Sequence, residues 1–134
     1  MTVGSISRLV LGRMLFCNGL TKLTTEVVSA FAVGYAAVSR DSSFRCDGDL
    51  VIASGLPQRA YPRGGVCVGR VFLTGPPPSR AVIAHEKRHV KQWYRYGALF
   101  PLLYAAAGKN PLTNRFEVEA GLEEGGYLPA QRAH

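Results

Sequence analysis

Two places in the sequence hold residues whose types and spacing could do chemistry together. The first is His85-Glu86-Lys87-Arg88-His89, two histidines four residues apart with a glutamate directly after the first. On a helix, positions i and i+4 share a face, so both imidazoles reach one metal ion. The glutamate lies at the side of that face, where it can take a proton from water that the metal has acidified. The second is the acidic stretch between Glu117 and Glu124, a source for the third protein ligand that a tetrahedral catalytic zinc requires.

The motif needs a helix, and the surrounding residues predict one over Arg80–Tyr96. Ser79 is a good N-cap after the triple proline at 76–78, and Gly97 is a natural stop. At about 100° per residue, His85, Glu86 and His89 fall in one arc with Val82, Ile83, Val90, Trp93 and Tyr96. Arg80, Lys87, Arg88, Lys91 and Arg95 make a basic back. Titratable groups on an apolar face need a partner, because unpaired burial is costly, and a metal supplies one.

Candidate third ligands are Glu117, Glu119, Glu123, Glu124, Cys67 and His134. A last helix over about Asn114–Glu124 puts Glu117 in one arc with Phe116, Val118, Ala120, Gly121 and Leu122, while Glu119 and Glu123 point away. Glu117 is thus the inward carboxylate. A capping box, Asn114-x-x-Glu117, is the competing role for it, and Cys67 stays an alternative ligand.

These two places resemble the gluzincin branch of zinc metallopeptidases, which carry H-E-x-x-H on one helix and a glutamate ligand on a later one. Asn114-Arg115-Phe116-Glu117-Val118-Glu119-Ala120 is similar to the E-x-x-A pattern of small stand-alone bacterial members. Over roughly residues 66–124 the resemblance implies a zincin-like domain with His85, His89 and Glu117 as zinc ligands and Glu86 as general base. It also implies a substrate peptide lying extended along Val66–Thr74. Lys87 and Arg88 depart from the uncharged residues usual inside the motif, and Gly121 stands where an acidic or amide residue often follows E-x-x-A. Tyr96, Tyr104 and Tyr127 are candidate oxyanion stabilisers.

The elements around the motif read as an α+β fold. Ser5–Cys17 is predicted as a first helix ending at Asn18-Gly19; Thr25–Ser39, behind the caps Thr24 and Thr25, reads as a second helix, although its valines and aromatics suit a strand as well. Asp47-Gly48 signals a hairpin between Ser43–Cys46 and Asp49–Ser54, and Val66–Thr74 reads as one strand of a small, mostly antiparallel sheet. Ala98–Ala107 is a short apolar helix with Pro101 near its start, and the tail over 126–134 reads as loose. At 134 residues, with 47% hydrophobic composition, the expectation is one domain spanning 1–134 with a real core.

Three cysteines (Cys17, Cys46, Cys67) without C-x-x-C spacing argue against a disulfide framework, leaving a Cys46–Cys67 bridge as an open alternative. Arg8 and Arg13 interrupt the N-terminal apolar residues, and the run Val27–Val38 is too short to span a bilayer, so a soluble, cytoplasmic chain is expected. The leading expectation is hydrolysis of a peptide bond in a short peptide or flexible protein segment. The alternative is a non-catalytic zinc-stabilised module whose basic helix back meets an acidic partner or nucleic acid. A net charge of +7 permits that, although a solvated helix back is the commoner meaning of such a stripe.

Overall fold

The computed structural model describes residues 18–61 and 64–129; the helix expected over Ser5–Cys17, and His134, lie outside the described residues. Helix α1 (Gly19–Ala37) is followed by β1 (Ser43–Asp47), β2 (Leu50–Ser54), β3 (Gly65–Val68) and β4 (Val71–Thr74). Helices α2 (Arg80–Tyr96), α3 (Phe100–Ala106) and α4 (Arg115–Ala120) complete an α+β fold.

Helix α1 begins six residues, nearly two turns, earlier than the threonine caps suggest. The Asn18 side chain accepts from the Thr21 amide at 3.0 Å and the Thr21 hydroxyl accepts from the Asn18 amide at 3.0 Å, a reciprocal cap. Asn18 therefore opens this helix.

The sheet is mixed, in the order β1-β2-β4-β3. β1 and β2 pair antiparallel around a turn at Gly48-Asp49, β3 and β4 pair antiparallel around Gly69-Arg70, and β2 and β4 pair parallel in the centre. The single strand expected over Val66–Thr74 is thus two strands. Gly69, at φ 63°, supplies the left-handed conformation that a two-residue hairpin needs.

The central strands are covered on both faces, which accounts for the unbroken apolar run of β4. Ala32 and Ala36 of α1 pack with Ala53, Val71 and Leu73 on one side. Ile83 and Val90 of α2 pack with Leu50, Ile52 and Phe72 on the other. A third cluster, Trp93, Phe100 and Phe116, joins the end of α2 to α3 and α4. Cys46 and Cys67 lie on opposite edge strands and are free thiols, so the alternative of a bridge is not realised. Among the described residues no helix is long and apolar enough to cross a membrane.

Candidate metal centre

Helix α2 has the predicted bounds. The Ser79 side chain accepts from the Val82 amide at 3.3 Å, and Gly97 at φ 60° ends the helix. Its buried residues are Ile83, His85, Glu86, His89, Val90, Gln92 and Trp93. The arc read from the sequence is therefore the core-facing one, with Tyr96 only half-buried at its end.

Helix α4 stops at Ala120 rather than near Glu124, because Gly121 at φ 103° leaves the helical conformation. A side chain on Gly121 would run into Arg88 and Glu124. Within this shorter helix Phe116, Glu117 and Ala120 are buried, while Val118, expected inward, is half exposed. Leu122 lies beyond the helix. The capping role goes to Asn114 alone, whose side chain accepts from the Phe116 amide at 3.0 Å and donates to the Tyr104 and Gly108 carbonyls. The Glu117 carboxylate faces the histidines instead.

The two helices are sewn together at the carbonyls of α4. Gln92 Nε2 donates to Phe116 O at 3.0 Å, Arg88 Nη1 to Ala120 O at 2.6 Å, and His85 Nδ1 to Gly121 O at 2.8 Å. Arg88 also pairs with Glu124 at 3.5 Å, and Lys87 pairs with Asp47 beside the β1–β2 turn. The two unusual bases inside the motif thus serve as clamps, which corrects the reading of Arg88 as solvated back. An arginine on the last carbonyls of a helix also suits the negative end of its dipole.

These bonds fix the histidine tautomers. A backbone carbonyl only accepts, so His85 carries its proton on Nδ1. Gln92, held by its donation to Phe116 O, turns Oε1 toward His89 Nδ1 at 2.7 Å, so His89 also donates from Nδ1. Both Nε2 atoms are then bare lone pairs in the neutral rings. They stand 3.0 Å apart, and Glu117 Oε2 lies 3.1 Å from one and 3.3 Å from the other. Tyr104 donates its hydroxyl to Glu117 Oε1, leaving Oε2 to the histidines.

Three acceptor atoms converge with no donor between them, and only a cation or a proton satisfies all three. Ligand atoms about 2.0–2.1 Å from a tetrahedral zinc lie roughly 3.3 Å apart, close to the separations here. His85, His89 and Glu117 therefore form a buried group that can hold a metal ion. Each histidine has a second partner behind it, as metal-ligating histidines do. Cys67 stands outside this group, its Sγ donating to Gly69 O at 3.4 Å. Glu119 and Glu123 are exposed, as expected.

Although burial works to raise it, Glu117 is held well below the usual carboxylate range by hydrogen bonds from His85 and His89, made when a proton rather than a cation fills the site, and from Tyr104. Although burial works to lower it, His89 is raised by its Glu117 bond and by the charges of Glu86 and Glu117. Glu86 is different. Burial pushes its carboxyl up to about 7, and its Oε2 has no hydrogen-bond partner among the described residues. A carboxylate so poised beside a group that can hold a metal ion can act as a general base.

All four residues open onto a cavity of about 350 Å³ walled by Gly65–Val68 of β3, Trp93, Phe100, Pro101, Tyr104 and Tyr127. Of the tyrosines singled out, Tyr104 and Tyr127 line it, whereas Tyr96 packs against Phe100 and Phe116. Tyr127 packs edge-on against His85, with ring centroids 6.0 Å apart. Sequence reasoning missed Gln92, although it lies seven residues after His85 and so shares its face. No protein-family model, curated protein or solved structure matches the chain.

Proposed function

We propose that the chain is a zinc-dependent, gluzincin-like metallopeptidase of zincin-like fold. The reading rests above all on the convergence of His85 Nε2, His89 Nε2 and Glu117 Oε2 without a donor among them. Two imidazoles and one carboxylate suit zinc, and three protein ligands leave a fourth position open, the mark of catalytic rather than structural sites. A zinc ion held there supplies Lewis acidity toward water and a substrate carbonyl oxygen.

The chain's own groups supply the rest. Glu86, ionised near neutral pH, takes the proton of the attacking water and returns it to the leaving amine nitrogen. Gln92 and the Gly121 carbonyl keep both imidazoles in the tautomer that presents Nε2. Strand β3 is a sheet edge on the cavity wall, where an extended peptide or flexible protein segment adds as a further strand. The alternative, a non-catalytic zinc-stabilised module with a basic docking face, draws less support: Lys87 and Arg88 are taken up by Asp47, Glu124 and Ala120 O.

The test joins elemental analysis of protein purified without added zinc to turnover of a peptide library. About one zinc per chain is expected, with cleavage abolished and the metal kept in Glu86→Gln. Absence of metal together with no zinc binding by calorimetry at neutral pH sinks the proposal, and undiminished cleavage by Glu86→Gln removes the mechanism.

A further inference from the structure

Strand β3 is the sheet edge beside the metal centre, and part of its outward backbone is already bonded. Along a strand the N–H and C=O groups of successive residues point to alternate sides. The Arg70 carbonyl accepts from the Val51 amide at 2.8 Å, so Arg70 and Phe72 turn toward β2, and Val71 and Leu73 toward β3. Val71 and Leu73 pair with Val68 and Val66. Those two residues of β3 therefore face β4, while Gly65 and Cys67 turn their groups outward to the edge.

The open stretch is short. On one side of it the Gly64 amide donates to the Tyr61 carbonyl at 3.1 Å, and the Gly64 carbonyl accepts from the Thr74 hydroxyl at 3.4 Å. On the other side Gly69 is buried against α1, where a Cβ would run into Thr25 and Ser29. Between them, the Cys67 carbonyl accepts the indole N–H of Trp93 at 3.3 Å. Trp93 is 4% exposed and packs edge-on against Phe100, with ring centroids 5.3 Å apart. A peptide amide that took this carbonyl from it would leave a buried indole N–H without its partner, which is costly. What remains for an incoming strand is the amide and carbonyl of Gly65 and the amide of Cys67.

We infer that the Trp93 indole is a positioning and specificity-determining group of the peptide site. It closes one of the two outward acceptors of β3, so a bound peptide donates a single amide to this edge, the one that meets the Gly65 carbonyl. The inference rests on the peptide-binding role proposed for β3 but not on turnover. The count is the same for either strand direction, because the peptide amides that reach the Gly65 and Cys67 carbonyls belong to residues two apart in both ladders. The residue facing the Cys67 carbonyl needs no N–H, so proline is accepted there. Proline facing a ladder partner is otherwise disfavoured, since it has no amide to donate. Extended segments carrying proline two residues from the anchoring amide are thus a class this edge admits and a fully open edge disfavours.

A random hexapeptide library with blocked ends, offered to the metal-free chain, supplies the probe. Its tightest-bound member is labelled, followed by fluorescence anisotropy and N-methylated at one amide at a time. One amide should be sensitive, losing about tenfold in affinity, while those two residues to either side lose less than about threefold. Proline should be tolerated at one of these flanking positions. Trp93→Phe keeps an aromatic ring in the cluster and removes the donor, so a second amide should become sensitive, two residues from the first. A loss of packing alone would weaken all the peptides alike. Should the variant not fold by circular dichroism, the wild-type scan decides. Two sensitive amides two residues apart in the wild type, no sensitive amide, or no bound peptide each overturn the inference. With cleavage by the zinc-loaded chain intact, those results leave the peptidase reading standing. One sensitive amide without any cleavage upholds the inference and sinks that reading alone.

Discussion

Glu86→Gln should change the pH dependence of stability in the metal-free protein, not merely its activity. Glu86 is 7% exposed and its Oε2 is without a hydrogen-bond partner among the described residues, so burial outweighs the opposing charges of His89 and His85. Its carboxyl moves from 4.5 to about 7. Between those values the native state holds a proton that the unfolded chain has released, so stability falls as pH rises across the window. The shift is 7 − 4.5, or 2.5 units, and at about 1.4 kcal/mol per unit it removes on the order of 3 kcal/mol above pH 7. Glutamine has no proton to lose and escapes this penalty. It carries a cost of its own, about 1–3 kcal/mol for a buried amide short of partners, but that cost is the same at every pH. The informative quantity is therefore the difference between wild type and variant at two pH values. Urea denaturation of chelator-treated protein at pH 4 and pH 8 should show the variant gaining on the wild type by about 3 kcal/mol from the lower to the higher pH. Zinc should largely erase the gain, since a cation beside the carboxylate compensates its charge. A gap that stays constant with pH would refute the argument, and with it the poise assigned to the general base.

Glu117→Ala should strip the metal, while Glu119→Ala, on an exposed position, should leave stoichiometry and melting temperature nearly unchanged by elemental analysis and calorimetry. Gln92→Leu should keep the metal but weaken its binding about 10–100-fold in competition with a chromogenic chelator, because His89 loses the partner that fixes its tautomer. His89 sits above its ordinary 6.5 in the metal-free site, so its proton stabilises that state at low pH and is lost as pH rises through the raised value. Apparent zinc affinity, measured by calorimetry in several buffers, should therefore still be climbing above pH 6.5, with proton release on binding.

What could be read in advance was whatever depends on periodicity. A seventeen-residue helix with apolar residues at regular spacing fixes its own buried face, so His85, Glu86 and His89 were placed inward without any knowledge of their surroundings. Glu117 followed by the same arithmetic, even though the helix around it is shorter than expected, because one turn suffices to orient it. The errors fall where a glycine conformation or a long side chain decides. Gly69 folds one apparent strand into two, and Gly121 ends the last helix early; each signals a turn, but a glycine within a strand or helix pattern is often tolerated. Arg88 lies off the apolar arc by angle, yet its side chain reaches around to the Ala120 carbonyl. The parallel pairing of β2 with β4 had no local signal, since it joins strands from two separate hairpins.

The shortness of α4 has a consequence for how the centre assembles. Six residues are fewer than two turns, and isolated helices below about 12–15 residues are marginal because nucleation is costly. Its helicity is borrowed: Phe116 is gripped by the aromatic cluster, and three of the carbonyls from Phe116 to Gly121 are bound by α2. The sheet's own apolar clusters contain no residue of α4. Undocking this end would thus withdraw the third ligand while leaving the rest standing. A bound ion would act as a stitch across that seam, so the stripped chain should melt in two steps, this end first, and the loaded chain in one.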